Sequence, residues 1–152
     1  MIFKQWQQVL DGTKTQTRRI LRTPVEIERL AIPGAMHSAC PIQSVRIDGR
    51  LIEAVGHTRA VQPGRTKPGI AGIEITALRV EFLHRISEAD AIAEGCHAID
   101  GFAFMDEPVG PHDVISAVSQ YRTLWDSINT RPGTRWIDNP LVLVREFRLV
   151  QP

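Results

Sequence analysis

Apolar residues return along this chain in two rhythms, one helical and one alternating. Phe3, Trp6, Val9 and Leu10 fall near helical spacing, and Gly12 stands where a helix C-cap would. The spacing predicts a short helix over residues 4–11, followed by a Thr- and Arg-rich stretch, 14–21, in extended form. Pro24, Pro33, Gly34 and Pro41 punctuate the next twenty residues, which read as an irregular excursion. Residues 43–47 and 50–55 flank Asp48-Gly49, a dipeptide suited to the positive φ angles of a tight hairpin. Strands are expected at 56–62, closed by Pro63-Gly64, and at 73–82, where Ile73, Ile75, Thr76, Leu78 and Val80 supply β-favouring side chains.

The second half turns helical. Ser87-Glu88-Ala89-Asp90 has the form of a capping box and opens a helix that runs to Glu94 and closes at Gly95. Val114, Val118, Tyr121, Trp125 and Ile128 recur in steps of four and three, predicting an amphipathic helix over 112–129. A β-rich run at 141–150 makes the last strand. The order helix, strands, two helices, strand indicates an α+β fold: a small bent sheet or barrel with flanking helices. At 152 residues the chain reads as a single domain, 1–152, with an irregular and hairpin insertion around 22–55.

Composition narrows the classes. Hydrophobic residues make up 43% and charged residues 23%, which excludes wholesale disorder. No run approaches the roughly 18 apolar residues of a membrane span, and residues 1–8 lack the apolar core of a signal peptide, so a cytoplasmic location and no membrane partner are expected. With only Cys40 and Cys96 there is no disulfide framework. His37-x-x-Cys40 and Cys96-His97 match no common zinc module, and neither a metal nor another cofactor is expected. Charge is unevenly spread. Residues 1–80 carry 12 Lys and Arg against 6 Asp and Glu, whereas 81–152 carry 6 against 11. Fifteen of the 18 basic side chains are Arg, the form suited to bidentate contact with phosphates and base edges.

The densest polar cluster is Gly12-Thr13-Lys14-Thr15-Gln16-Thr17-Arg18-Arg19. Lys14 and Thr17 would face opposite ways on an ideal strand. A turn after Gly12 lets both enter one cleft; a solvated Thr- and Arg-rich strand is the plain alternative. Gly12-x-Lys14-x-x-Thr17-x-Arg19 resembles the GxKxxTxR signature of ASCH domains, small barrels of the PUA-like superfamily. Gly56-His57-Thr58-Arg59-Ala60-Val61 is similar to the second signature strand of that family, with His57 where an acidic residue is usual. Residues 73–78 and 86–95 resemble its central strand and following helix. Residues 125–129 and 139–147 resemble the ending of phage and prophage members.

The resemblance implies binding of RNA or a nucleobase in a cleft beside the barrel. In small bacterial members that hydrolyse N4-acetylcytidine, the catalytic trio falls on positions matching Lys14, Thr17 and Glu94. The chemistry is coherent on its own terms. A Thr hydroxyl needs a neighbouring base to become a nucleophile. Lys14, its ammonium disfavoured beside Arg19, would serve as base, and Glu94 would orient it or pass a proton to the departing amine. Arg19 or backbone N–H groups near Gly12 would hold the oxyanion. Arg59 and Arg65 are candidates for phosphate contacts, and Trp136, amid Arg131, Arg135 and Asp138, is the candidate exposed aromatic for stacking a base. Each has a bland counterpart: surface charge for the arginines and for Glu94, core packing for the tryptophans. Three functions follow from the resemblance: an RNA- or nucleobase-binding module, an amidohydrolase of N4-acetylcytidine-like nucleosides, and a ribonuclease. No acid–base pair for chain cleavage and no Gly-rich phosphate loop is legible. Neither substrate identity nor oligomeric state is written in the sequence.

Overall fold

A computed structural model describes residues 1–100 and 114–150. Helix α1 spans Trp6–Leu10, α2 Glu88–Ala93 and α3 Ala117–Ile128. The strands are β1 Gln16–Ile20, β2 Glu26–Arg29, β3 Ile42–Ile47, β4 Arg50–Ala54, β5 Thr58–Val61, β6 Ala71–Phe82, β7 Ile99–Asp100, β8 Val114–Ile115 and β9 Leu141–Val150. Four of them form a curled antiparallel sheet in the order β1-β9-β6-β5. A second sheet runs β2-β3-β4, and β7 pairs with β8. The architecture is α+β, a small barrel-like curled sheet with flanking helices.

β9 lies between β1 and β6, and its first half, Leu141 to Val144, packs on both faces, which is why those four residues are all apolar. Leu143 and Phe147 point into the barrel, against Phe3, Val45, Ile73, Ile75 and Leu78. Val142 and Val144 point the other way, into a second core with Leu83, Ala91, Ala117, Tyr121 and Trp125. The register of β6 against β9 shifts between Ile75 and Ala77, a bulge that sharpens the bend of the long strand. The first residues then bridge the two edges of the sheet. Ile2 forms a parallel bridge with Gln62, just beyond β5, while Arg19 on β1 donates from Nη2 to the Ile2 carbonyl at 2.6 Å.

The expected elements recur with informative differences. The hairpin at Asp48-Gly49 is present, with φ of 50° and 71°. The excursion after Arg22 is not irregular throughout, because Glu26–Arg29 adds a third strand to the hairpin. Its Glu-Ile-Glu-Arg alternation is too short and too polar to declare itself, and only Val25 and Ile27 reach the barrel core. The helix expected over 112–129 begins at Ala117, where the Ser116 hydroxyl accepts from the Ser119 N–H. Val114 belongs instead to β8, and residues 112 and 113 lie outside the described ones. Among the described residues no helix is long and apolar enough to cross a membrane.

One buried charge group sits inside the barrel. Glu53, on β4, is 1% exposed. It accepts from Arg145 Nε at 2.9 Å and from Arg59 Nη2 at 2.9 Å, with His57 Nδ1 at 3.2 Å. Burial works to raise the Glu53 pKa, but the two guanidinium groups outweigh it and hold the carboxyl below its ordinary value. Removing Glu53 would leave Arg145 buried and unpaired. Glu53→Ala is expected to lower the unfolding free energy by about 3–5 kcal/mol in urea titrations. The double variant Glu53→Leu with Arg145→Met should recover most of that loss, since both charges then leave together.

Candidate functional site

The site is assembled where the start of β1 crosses the end of α2. Gly12, at φ 81°, turns the chain out of α1. Gln8 then fastens both sides of the junction: its carbonyl accepts from the Lys14 N–H at 2.8 Å, and its Nε2 donates to the Gly95 carbonyl at 3.1 Å. The Thr15 N–H donates to the Ala93 carbonyl at 2.9 Å, tying the strand entry to the last turn of α2. The capping box forms as the sequence indicates, with Ser87 and Asp90 satisfying each other's backbone. Gly95, at φ 91°, ends the helix so that Glu94 turns back toward Lys14. The positive φ favours glycine there, and a Cβ would also displace the Gln8 amide, whose Oε1 stands 2.1 Å from its position.

Lys14 Nζ donates to Glu94 Oε2 at 2.8 Å and to the Glu94 carbonyl at 2.5 Å. Arg18 Nη1 reaches the other carboxylate oxygen, Oε1, at 3.3 Å. Glu94 is therefore gripped from both sides, and Lys14, Arg18 and Glu94 are all buried. Arg18 goes on through Nη2 to Glu81 and Asp90, each at 3.1 Å, and through Nη1 to Gln16. Arg79 joins Asp90 at 2.8 Å and pairs with Glu146. For Asp90, burial pushes the pKa up, but the Ser87 N–H, Arg18, Gln16 and Arg79 prevail and bring it to about 2.

Beside this network lies a cavity of about 410 Å³. Its wall combines Lys14, Thr17, Arg18, Arg19 and Glu94 with Ile2, Phe3, Ile20, Tyr121, Leu124 and Trp125. β1 is an edge strand, so the cavity reaches it from the side. That explains how consecutive residues, Thr17 to Ile20, line one hollow although their side chains alternate between faces. The ladder also fixes the backbone. The Phe147 N–H bonds to the Thr15 carbonyl and the Leu21 N–H to the Leu141 carbonyl. By alternation, the N–H and C=O groups of Gln16, Arg18 and Ile20 point away from β9, to the open edge. Two hydroxyls complete the wall. Thr17 and Tyr121 are 5% and 4% exposed; neither hydroxyl makes a hydrogen bond among the described residues, and neither is one of their fully enclosed polar atoms, so both keep accessible surface. Burial, followed by the nearby Glu94 charge, pushes the Tyr121 phenol well above its ordinary pKa.

The trio of Lys14, Thr17 and Glu94 is thus gathered at one cavity, and Arg19 stands at its wall, exposed and bound to the Ile2 carbonyl. Other expected site residues fall elsewhere. Arg59 is drawn to Glu53, Arg65 stands exposed in the turn beyond β5, and Gly12 shapes the approach without lining the cavity. Trp136 is half-buried rather than free to stack a base: it lies on His84, ring centroids 5.0 Å apart, with Tyr121 at 6.5 Å. The arginine that shares Glu94 with Lys14 is Arg18, not Arg19. Arg18 escaped sequence reasoning because it occupies an unconstrained position of the signature, and Tyr121 because its helical spacing reads as core. Tyr121 is core on one side and cavity wall on the other.

Two solved structures are similar to this one. The ASCH domain from Lactobacillus crispatus JV V101 superposes with a TM-score of 0.52 at 19% identity, over 97% of this chain and 70% of that one. Protein EF3133 from Enterococcus faecalis V583, a DUF984 protein, gives 0.52 at 14% identity, over 96% and 69%. No family model matches the sequence, and no curated protein does. The fold is ASCH-like.

The acid limb of stability follows from Asp90. A carboxyl whose folded pKa is depressed stabilises the fold above its unfolded value near 3.8 and loses that contribution as pH falls toward about 2. Urea midpoints measured between pH 6 and pH 2 should drop across this window. Asp90→Asn should flatten the drop and lower the plateau.

Proposed function

We propose that the cavity is a nucleobase site, taking one base of RNA or of a free nucleoside. The observation that supports it most is the union, in one hollow of about 410 Å³, of an apolar and aromatic wall with a few convergent polar groups. Tyr121 and Trp125 offer ring surface to a flat ligand. The open edge of β1 and the hydroxyls of Thr17 and Tyr121 offer hydrogen bonds in its plane. Glu94, although gripped, keeps lone pairs for an exocyclic amine. An amino-bearing pyrimidine such as cytosine matches this set. An ASCH-like fold accords with RNA as the source of the base.

A second reading has its own observation: the unpartnered Thr17 hydroxyl lines the same hollow as the Lys14–Glu94 pair. As found, Lys14 is the donor, so its expected role as base requires the proton to pass first to Glu94 along their 2.8 Å hydrogen bond. The free amine then takes the Thr17 proton while Oγ1 attacks the acyl carbon of an N4-acylcytidine. The Glu94 acid protonates the departing cytosine nitrogen, and water cleaves the acyl ester to release the carboxylic acid. Chain cleavage of RNA gains no comparable support, as no histidine lines the cavity among the described residues.

Calorimetric titration with cytidine and N4-acetylcytidine tests the first reading. Saturable binding is expected, lost by more than about tenfold in Glu94→Gln, which discards a charged acceptor. No heat of binding with either nucleoside would overturn it. For the second reading, chromatography should show cytidine and acetate formed from N4-acetylcytidine by the wild-type protein. Thr17→Val should bind the nucleoside and form no product.

A further inference from the structure

Tyr121 is the group whose environment the reading above leaves least explained. The aromatic stripe of α3 needs only a hydrophobic ring at this position to fill the second core, where Ala91, Ala117, Trp125 and Val144 surround it. Phenylalanine would do that. The chain instead places a phenol there, in the wall of the cavity, whose hydroxyl makes no hydrogen bond among the described residues and is not one of their fully enclosed polar atoms, so it keeps accessible surface. A hydroxyl in a cavity wall with no protein partner is left to donate to the ligand that enters.

We infer that Tyr121 is the specificity-determining donor of the cavity, its hydroxyl reserved for a ring carbonyl of the bound base. The assignment rests on the nucleobase reading and narrows it to oxo-bearing pyrimidines. Three features select a carbonyl over other partners. The neighbouring carboxylate, Glu94, already has Lys14 and Arg18 as its donors, so the phenol is not consumed by it. Burial, followed by the Glu94 charge, pushes the phenol pKa well up, and a neutral phenol is a donor. The Trp125 indole cannot compete, since its Nε1 donates to the Thr134 carbonyl at 2.9 Å and lends only its ring to the cavity. A site built to hydrogen-bond a substrate group rejects the analogue that lacks it, because the buried partner is then stranded.

The experiment pairs a protein change with a ligand change. Wild-type protein and Tyr121→Phe are titrated calorimetrically with cytosine and with 4-aminopyrimidine, which keeps the amine and ring but lacks the carbonyl. The wild-type protein is expected to prefer cytosine. Tyr121→Phe should weaken cytosine about tenfold and leave 4-aminopyrimidine unchanged, closing the gap between them. Circular dichroism and the urea midpoint establish that the variant is folded. Cytosine affinity unaltered in Tyr121→Phe would overturn the inference while leaving the nucleobase reading intact, as would an equal loss on both ligands. Failure of the wild-type protein to bind cytosine would remove that reading and this one together.

Discussion

The Glu94 carboxylate, held between Lys14 and Arg18, is the interaction on which the site depends. Each partner comes from a different local cause. Lys14 leaves a turn made by Gly12, Arg18 sits mid-strand on an edge, and Glu94 closes a helix of six residues. Two oxygens shared between two cations satisfy the carboxylate without water, and this permits its burial at 2% exposure. Burying such a group costs several kcal/mol unless it is paired, so the arrangement forms whole or not at all. The pairing of β1 with α2 and the placement of a polar cluster beside an apolar hollow are one event.

Charge is managed in the molecule by two separate networks. One, around Glu53, lies inside the barrel and fixes the hairpin β3–β4 to β9 through Arg145. The other, around Arg18, lies on the opposite face and fixes α2 to β1, β6 and β9. β9 carries members of both, Arg145 and Glu146, since residues one apart on a strand face opposite ways. Arg145, on the barrel face of β9, is opposite Thr17, and Val144, on the helix face, is opposite Arg18. The N-terminal half of the chain has the surplus of arginine and the C-terminal half the surplus of acid. The Arg18 network joins the two halves by pairing Lys14 and Arg18 with Glu81, Asp90 and Glu94.

Much of the fold was legible because local chemistry and tertiary structure agree. The Asp48-Gly49 turn, the Ser87–Asp90 capping box and the two-faced apolar run of β9 each declare their element. β2 and β8 were not legible, since strands of four and two residues draw their stability from the partner and not from their own residues. At the site, Lys14, Thr17 and Glu94 could be named from a motif. Arg18 could not, because a buried arginine leaves the same mark in sequence as a solvated one. Trp136 misled for the converse reason: charged neighbours suggested exposure, but a 3-10 turn at Trp136–Asp138 folds the indole onto His84.

The free backbone edge of β1 has a bearing on more than recognition. A strand edge with outward N–H and C=O groups is a template on which another polypeptide can add and begin ordered aggregation. Here residues 2–5 and α3 stand beside that edge and line, with it, a hollow of about 410 Å³. The same neighbours that wall the hollow stand in the way of intermolecular strand exchange at this margin of the sheet. A tenant of that chamber would reinforce the protection.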